Sequence, residues 1–529
     1  MKGMNLTSAA ARDQSGFLRW CRRSSFWLVP LMIGVLYFVY GFSQLSQYGV
    51  TWDEPLHRNW GKLFVYFWKT GNRQALELMP GHGIHYGSLY YTLNYLLSEQ
   101  LYQSGFFRFV EANHILNLLT ASVATGFTFI IGRMMGGIRT GVIAALAFIF
   151  FPQLLAHAQY NPKDIPLMTA VLITATVFIV AMKRGSVFLF LLSAFLMGAS
   201  VAAKVSALLM APVFAATYVV WVVSDSRAMH LRSVKIQLVT LLCALGCFCT
   251  GAFLFWPDAW GDPLLILRSV RFFLGTDFWP GKVLFFGTEY AGADLPWYYT
   301  PFEFFAATPL LVFAGFLAGT VLLIRQFRSY GQKPEYILLL LWVFFPLLFS
   351  MKPGLVRYDG IRQFFFLIPA ASVIAAYGIG AASDFLKPRL RGALSLALAL
   401  VILVADLAYE VALVHPYEGS YRSEAVRSLY PSGMDHVFQV EYWGATYRQG
   451  MQWLIQHAEA NPVICVPTAG ILVEWYPWRE DFTFDCSKDT NYVMFFTRYS
   501  EAGEFAKLTE PVFRIDRMGA RLLNIYKVK

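Results

Sequence analysis

Two adjacent acidic residues, Asp53 and Glu54, follow the first long apolar stretch of the chain, Ser25 to about Leu45. A carboxylate is costly to remove from water, so such a pair beside a bilayer either stays hydrated or serves a reaction at the membrane surface. One of the two could instead cap the helix that begins near Pro55, a role that suits an Asp followed by an early proline.

A second charged pair, Lys163 and Asp164, lies in the short segment 157–166 between two apolar runs. Pro162 and Pro166 disfavour a continuous helix there, so the pair is expected on irregular backbone at the membrane surface. The alternative is an Asp that starts a helix and a Lys that extends toward the headgroups.

A third group of charges, in segment 351–363, contains Lys352, Arg357, Asp359 and Arg362. A planar guanidinium grips phosphate oxygens in a fixed fork, so this segment could dock a phosphate. Anchoring of a helix end at the membrane surface is the alternative for Arg357 and Arg362.

The composition indicates a polytopic membrane protein. Of the 529 residues, 57% are hydrophobic and only 14% are charged, and the mean hydropathy is +0.48. The net charge of +10 comes from short basic clusters between apolar runs, which is typical of topology determinants, so nucleic acid is not expected as a partner.

Apolar runs of membrane-spanning length predict about eleven transmembrane helices. The predicted spans are 26–47, 113–132, 138–155, 166–182, 186–203, 206–224, 236–255, 303–324, 336–350, 361–382 and 392–412. No small-residue cleavage pattern follows the first run, which favours an uncleaved anchor over a signal peptide.

Basic clusters between these spans all fall on one face when there are eleven helices, and the positive-inside rule makes that face cytoplasmic. The clusters comprise Arg19, Arg22, Arg23, Arg133, Arg139, Lys183, Arg184, Arg227, Arg232, Lys235, Arg325, Arg328, Lys333, Lys387, Arg389 and Arg391. The N-terminus is then cytoplasmic, and Asp53 and the C-terminus lie outside.

Two outer loops are long. The first, residues 48–111, holds two half-apolar stretches, 55–70 and 86–103, which predict helices lying in the interface. The third, residues 256–300, is rich in Trp, Pro and Gly, and its aromatic faces suit stacking on sugar rings, although such residues also anchor to headgroups.

The chain changes character near residue 413, where interspersed charges and short strand-like runs predict a small α/β domain over 413–529. Strands are expected near 462–467, 482–486, 492–497 and 521–528, and a helix near 446–458. Cys465 and Cys486 could form a disulfide in an oxidising compartment, or remain two buried thiols.

Four histidines, His57, His82, His85 and His157, are expected on the outer face, but their spacings match no compact zinc motif. No cofactor is therefore expected to be required. Three cysteines, Cys243, Cys247 and Cys249, lie on an apolar helix and are expected to pack there, and Cys21 is expected on the cytoplasmic side.

Three segments carry a resemblance to a known group: Trp52–Pro55, Asn161–Pro166 and Arg357–Gln363. Their order and shared side resemble the GT-C membrane glycosyltransferases, most of all the bacterial branch related to protein O-mannosyltransferases and lipid A aminoarabinose transferases. The resemblance implies a transmembrane catalytic domain over residues 1–412. It also implies inverting transfer of a hexose or pentose from a polyprenyl-phosphate donor to a lipid, glycan or protein acceptor at the outer face of a bacterial inner membrane, in the cell envelope or periplasm.

The resemblance also implies roles for individual residues. Asp53 matches the general base, and Glu54 matches a second acid that holds the acceptor or the base. Lys163, Arg357 and Arg362 are implied as phosphate contacts, with Asp164 orienting Lys163. Oligosaccharyltransferases place a metal-binding acid where Lys163 stands, so a metal is not expected here.

The remaining candidates for substrate contact are His85, His157, Glu289 and Trp297, and Lys204 either lines the cavity or marks a turn. Two other classes stay open at this point. A transporter or flippase is disfavoured because no internal repeat and few intramembrane charges are seen. A lipid–carbohydrate ligase would need arginines and histidines but not the acidic pair of the first loop.

Overall fold

The structure is a computed structural model that describes residues 27–79, 82–224, 234–275, 279–326, 333–386, 392–486 and 489–529. Several residues used above to orient the chain lie outside this description, namely Arg19, Cys21, Arg22, Arg23, Arg227, Arg232, Arg328, Lys387, Arg389 and Arg391.

Helices dominate the described residues. In chain order they are α1 (Trp27–Gln47), α2 (Asp53–Thr70), α3 (Gln74–Glu77), α4 (Leu89–Gln103), α5 (Phe109–Ile149), α6 (Pro152–Tyr160), α7 (Asp164–Arg184), α8 (Val187–Ala203), α9 (Met210–Ser224), α10 (Val234–Leu254), α11 (Leu265–Phe273), α12 (Tyr299–Ala307), α13 (Leu310–Arg325), α14 (Pro334–Ser350), α15 (Ile368–Leu386), α16 (Gly392–Val414), α17 (Glu424–Leu429) and α18 (Tyr447–His457).

Seven of the described helices are long and apolar enough to cross a membrane, and the bent pair α12–α13 would make an eighth. The α5 helix is two helices joined by a kink at Gly136 and Gly137, where Gly137 has a φ of 81° that favours glycine. Shorter apolar helices, α8 and α14, lie in the same bundle. The protein is therefore a mainly helical, polytopic membrane protein.

Two predicted spans differ from the structure. The span 138–155 was wrong at its end, because the helix stops at Ile149 and Pro152 starts the separate helix α6. The span 303–324 is interrupted at Pro309, and α12 and α13 meet at 118°. Both prolines remove a backbone donor that a continuous helix would need.

The centre of the bundle is formed by α7 and by the span Arg362–Asp384, which contains most of α15. Within the most apolar window of each span, the buried share is 78% for α7 and 83% for Arg362–Asp384. It is only 22% for α10 and 28% for both α1 and Leu396–Val414, so these three spans present apolar faces to lipid, as expected for the periphery of a bundle.

Opposite ends of α7 carry different kinds of charge contact. At its last turn Lys183 pairs with Glu335 at 2.6 Å, and nearby Arg139 pairs with Asp384. At its first residue, Asp164 belongs to the cluster of acids and cations described below. The charged residues at the two ends are thus separated by the length of a membrane-spanning helix.

The first outer loop forms α2 and α4, close to the predicted interfacial stretches 55–70 and 86–103. In the third loop, α11 is followed by a two-stranded antiparallel hairpin of β1 (Lys282–Phe285) and β2 (Thr288–Ala291). These elements surround the end of the bundle that carries Asp164.

The C-terminal region forms a five-stranded mixed sheet. Its strands are β3 (Val463–Cys465), β4 (Thr483–Phe484), β5 (Tyr492–Phe496), β6 (Phe513–Arg517) and β7 (Ala520–Lys527), in the order β4-β3-β5-β7-β6. Strand β6 was not predicted, because charged residues alternate along this edge strand and leave few apolar positions. Helix α18 packs against the sheet through Met451 and Leu454, and Cys465 and Cys486 are joined in a disulfide.

Candidate active site

Asp53 is the first residue of α2, and backbone contacts to the C-terminal region fix its position. The amide of Trp52 donates to the carbonyl of Trp443 at 2.8 Å, and the amide of Val50 donates to the Tyr476 hydroxyl at 2.7 Å. The segment that leads into α2 is therefore fixed by hydrogen bonds to residues far along the chain.

Glu54 points away from the cavity into the protein. Its fully buried carboxylate accepts from the amide and hydroxyl of Thr51 at 2.7 and 3.0 Å, from Asn113 at 2.7 Å and contacts His114 at 3.0 Å. These contacts tie the start of α2 to α5. Glu54 therefore makes hydrogen bonds within the protein and does not line the cavity.

The carboxylate of Asp53 keeps 25% of its side-chain surface exposed and faces two cations. The Lys163 ammonium lies 3.0 Å from Oδ2 and the Arg362 guanidinium 3.8 Å from the same oxygen. Burial by itself would raise the pKa of Asp53, but these two cations outweigh it and hold the pKa well below its usual range. Asp53 is therefore ionised at neutral pH.

Lys163 is 6% exposed, and burial would lower its pKa. The neighbouring Asp53 carboxylate outweighs this effect and keeps the pKa of Lys163 above its usual value. Its ammonium also lies 5.6 Å from the centre of the Tyr86 ring. The residue is thus a fixed, charged cation at the edge of the cavity.

Arg362 joins three carboxylates. Its guanidinium contacts Asp359 at 2.6 and 3.0 Å and Asp164 at 3.4 Å, in addition to Asp53. Its carbon lies 4.6 Å from the centre of the Trp443 ring. A buried guanidinium needs such partners, because an unpaired charge in this environment would be strongly destabilising.

Asp164 is 1% exposed and has partners on three sides. Lys204 lies 2.5 Å from one of its oxygens, and the other accepts from Asn161 at 3.0 Å. Lys204 lies at the junction between α8 and the next 3-10 helix and also contacts Asp164, so it both marks a turn and belongs to the charged cluster. The lysine that Asp164 contacts is thus Lys204, whereas Lys163 pairs with Asp53.

The cluster carries more positive than negative charge. Its three carboxylates are set against Lys163, Lys204, Arg362 and Arg498, the last of which lies 3.9 Å from Asp359. One positive charge is therefore in excess within the cluster. Such an excess on partly desolvated cations favours an anionic ligand such as a phosphate.

These residues border a cavity of about 780 Å³. Besides Asp53, Lys163 and Arg362, its walls include Trp279 and Pro280 from the third outer loop. The Trp279 ring stacks on Tyr358 with centroids 4.4 Å apart. The third outer loop, whose aromatic residues suit stacking on sugar rings, thus contributes Trp279 to the wall of this cavity.

The C-terminal region completes the cavity with Trp443, Ile471 and Arg498. Arg498 donates to the Tyr442 carbonyl at 3.4 Å and lies 5.4 Å from the Trp52 ring and 5.5 Å from the Trp279 ring. Sequence reasoning missed all three, because nothing local distinguishes them within a domain of ordinary composition.

A second cavity of about 450 Å³ adjoins the first and is mostly apolar. Tyr86, Phe273 and Tyr358 line both cavities. Lys204 and Lys352 are the cations along the walls of this groove, which otherwise consist largely of residues such as Val205, Leu208, Leu209, Pro212, Phe345 and Phe349. The pair of cavities thus combines a charged chamber with an apolar channel.

His157 lies behind the charged cluster. Burial lowers its pKa to about 3, so the ring is neutral. Nδ1 accepts from the Asn161 amide at 2.9 Å and Nε2 faces the Tyr442 hydroxyl at 3.1 Å. The same Asn161 amide group donates to Asp164, so His157 positions an acid and does not itself line the cavity.

Four further predicted site residues lie elsewhere. Arg357 is buried and donates to the carbonyls of Leu295, Pro296, Ser350 and Leu355, so its donors hold loops together. His85 contacts Ser269 and stacks on Phe272. Glu289 is exposed on the hairpin, 3.6 Å from the Lys282 ammonium, and Trp297 is 58% exposed. None of these four borders the charged cavity.

The described residues contain no group of three or more His, Cys, Asp or Glu side chains that could hold a metal ion. His57 is one of the four histidines considered above, and burial lowers its pKa to about 3. Its ring packs against Trp60 and Tyr91 at 4.9 and 5.1 Å. It is a neutral packing residue on the buried face of α2.

A solved structure shares this architecture. ArnT from Cupriavidus metallidurans in the apo state matches with a TM-score of 0.50 and 12% identity, over 95% of this chain and 98% of that one. This chain has the GT-C fold.

Two further structures are similar to a lower degree. ArnT bound to undecaprenyl phosphate has a TM-score of 0.47 and 13% identity over 95% of this chain and 98% of that one. The oligosaccharyltransferase AglB from Archaeoglobus fulgidus, in complex with an inhibitory peptide and a dolichol-phosphate, has a TM-score of 0.46 and 13% identity over 92% of this chain and 71% of that one. No protein-family model and no curated protein sequence matches the chain. The GT-C likeness thus concerns the fold.

Proposed function

We propose that this protein is an inverting glycosyltransferase that moves a hexose or pentose from a polyprenyl-phosphate donor to an acceptor at the outer face of the membrane. The observation that carries the proposal is the position of Asp53. Its carboxylate is partly exposed in a cavity, lies between Lys163 and Arg362, and faces a chamber that opens into an apolar groove. The GT-C fold supports the same reaction class.

In the proposed reaction an acceptor hydroxyl attacks the anomeric carbon of the donor while its proton passes to a carboxylate oxygen of Asp53. A new glycosidic C–O bond forms as the bond between the anomeric carbon and the phosphate oxygen breaks. The electron pair leaves with the polyprenyl phosphate, whose added charge Lys163 and Arg362 stabilise.

We propose inversion from the exposure of the three acids of the cluster. Asp53 keeps 25% of its side-chain surface exposed, against 1% for Asp164 and 3% for Asp359. A retaining reaction uses two carboxyl groups at the reacting carbon, whereas a single displacement needs one accessible base, for which Asp53 is proposed.

The low pKa of Asp53 without substrate fits this reaction in a specific way. A carboxylate held between two cations is a weak base. When a donor phosphate binds Lys163 and Arg362, these cations stabilise the ionised form of Asp53 less. The pKa of Asp53 then rises toward the range in which it accepts a proton. Donor binding would thereby activate the base.

The apolar groove is the proposed site of the polyprenyl chain, with Lys204 near the phosphate end. We further propose that the enzyme lies in a bacterial inner membrane with its N-terminus in the cytoplasm and its C-terminal domain in the periplasm. No metal is proposed to take part, because Lys163 places a positive charge beside Asp53. We therefore expect a chelator to leave transfer by the purified protein unchanged.

The test is transfer of labelled sugar from a panel of polyprenyl-phosphate sugars to membrane acceptors, comparing wild type with Asp53→Asn at equal amounts of folded protein. Wild type should transfer label, and the variant should lose at least about 10²-fold in rate. An exposed acid in the C-terminal sheet, Asp516→Asn, serves as the matched control and should retain full activity. Transfer that survives in Asp53→Asn would overturn the assignment of the base, and no transfer from any donor would overturn the proposed function.

A further inference from the structure

A third cavity of about 630 Å³ lies between the membrane domain and the C-terminal domain, apart from the charged chamber and the apolar groove. We name it the outer cleft and define it by Tyr102, Arg108, Phe109, Gln452, Glu474 and Trp475. It is formed where α4 ends, α5 begins, and α18 and the 3-10 helix Gly470–Trp475 approach them.

One wall of the outer cleft is aromatic. The rings of Phe109 and Trp475 meet edge to face with centroids 4.6 Å apart, and Tyr102 packs on Phe109 at 5.3 Å. Trp475 is partly exposed and Tyr102 is 47% exposed, so ring faces and edges remain accessible. Aromatic rings with polar neighbours bind ligands that have both apolar and hydroxyl-bearing faces.

The rest of the lining includes planar polar groups that can each make more than one hydrogen bond, namely Arg108, Arg448, Gln452 and Glu474. Arg448 is partly engaged, since it donates to the Tyr48 carbonyl at 3.1 Å and lies 3.8 Å from Glu111. Burial lowers the pKa of Arg448, and the nearby guanidinium of Arg108 lowers it further. The cleft thus offers donors and an acceptor beside an aromatic platform, which is the chemistry that recognises a saccharide.

The outer cleft is connected to the charged chamber through shared elements. The 3-10 helix Gly470–Trp475 contributes Ile471 to the chamber and Glu474 and Trp475 to the cleft. The hydroxyl of Tyr476, which also lines the cleft, accepts from the amide of Val50, three residues before Asp53. The segment that presents the proposed base therefore lies between the two cavities.

We infer that the outer cleft binds the saccharide portion of the acceptor, at sugar units beyond the one that receives the transferred residue. This inference rests on the proposed function. The donor chain is proposed to occupy the groove bounded by Tyr86, Phe273 and Tyr358, whereas the cleft shares no lining residue with that groove. An acceptor saccharide in the cleft would therefore not compete with the donor chain for the groove.

The experiment measures binding of fluorescently labelled oligosaccharides of two to six sugar units, neutral and uronic-acid-containing, to the full-length protein in detergent micelles. The test variant is the double substitution Gln452→Ala, Glu474→Ala, because both side chains are exposed and border the cleft. The matched control is Gln456→Ala, Glu480→Ala, which changes the same residue types on exposed positions of the same two chain segments without bordering the cleft.

Wild type and control should bind a subset of the oligosaccharides equally, and the test variant should bind them at least about tenfold more weakly, the effect of losing one hydrogen bond to a charged partner. In the transfer assay the test variant should raise the acceptor KM by the same factor and leave kcat and the donor KM unchanged. Binding that is absent in wild type, or unchanged in the test variant, would overturn the inference.

Asp53→Asn separates this inference from the proposed function. That variant should lose transfer and keep oligosaccharide binding, because Asp53 does not border the cleft. If wild type binds oligosaccharide in the cleft but transfers no sugar from any donor, the proposed function fails while saccharide binding stands.

Discussion

Consecutive residues of a helix point about 100° apart, and at the first turn of α2 this separates two carboxylates into different surroundings. Asp53 faces the cavity and its cations, while Glu54 faces α5 and accepts from neutral donors. The resemblance in sequence implies that both acids take part in the reaction. The surroundings instead indicate that the two acids act differently, one through its charge toward the cavity and one through its hydrogen bonds to the scaffold.

Glu54→Gln tests this division. One oxygen of Glu54 accepts from the Thr51 amide and the other from the Asn113 amide, so an N–H group in place of either oxygen would lose one of these contacts, at a cost of about 1–3 kcal/mol. We expect a lower apparent Tm for the purified protein but transfer activity per folded molecule within a few-fold of wild type. Glu77→Gln, at an exposed position, should leave the Tm unchanged. Loss of activity without loss of stability would return Glu54 to a direct role.

Lys163 sets the ionisation of Asp53, so its removal should change the pH dependence of the reaction as well as the rate. A carboxylate with a lowered pKa stays ionised as the pH falls. The acidic pH at which kcat/KM begins to fall should therefore lie below the pH range in which Asp usually titrates. In Lys163→Met the pKa of Asp53 rises, so the acid limb should move to higher pH.

The rate of Lys163→Met at its optimum should also fall by about 10²-fold, because one cation at the leaving phosphate is lost. Lys163→Arg keeps the charge and is the control, with the acid limb expected near that of wild type. The measurement is kcat/KM across pH. A rate loss with an unmoved acid limb would show that Lys163 does not govern Asp53.

At the scale of elements, much of this site could be predicted because it lies at the ends of apolar runs. The periodicity and length of those runs place α2, α4, α7 and α18 close to where they are found, and the same ends carry Asp53, Lys163 and Asp164. Loop conformation could not be predicted in this way. Arg357 and Arg362 occur in one short segment, yet carbonyl oxygens of two loops converge on Arg357 and carboxylates converge on Arg362.

The contribution of the C-terminal region to the site could not be predicted from the sequence either. Arg498 follows β5, and only the packing of the sheet over the bundle places it between Trp52 and Trp279. We expect Arg498→Gln to raise the donor KM about tenfold, because one charge-assisted contact to an anionic ligand is removed. The measurement is steady-state transfer with varied donor. Arg514→Gln, on the exposed edge strand β6, is the matched control and should have no effect.

At the scale of the whole molecule, the proposed reaction requires one site to bind both the apolar chain and the charged head of the donor. The apolar groove and the charged chamber share Tyr86, Phe273 and Tyr358, so a lipid phosphate can have its chain in the first and its head in the second. The groove is lined by α9, α11 and α14, which belong to the membrane region, whereas the chamber is closed by the C-terminal domain. Donor specificity for the lipid should therefore depend on the groove alone.

Leu209→Trp tests this separation, because Leu209 lines the groove and does not border the chamber. The larger ring should fill part of a channel of about 450 Å³ and exclude a long polyprenyl chain. We expect the KM for a donor with a full-length chain to rise at least about tenfold, since burial of each CH₂ group contributes about 0.8 kcal/mol. A donor with only two isoprene units should be used as well as by wild type.

Leu242→Trp is the matched control for the added ring, since Leu242 is 67% exposed on the lipid-facing helix α10 and lies outside the groove. It should leave both donors unaffected. If Leu209→Trp slows the short and the long donor equally, the groove does not hold the chain. The donor phosphate must then reach Lys163 and Arg362 by another route, because Leu209→Trp leaves the residues that line the chamber unchanged.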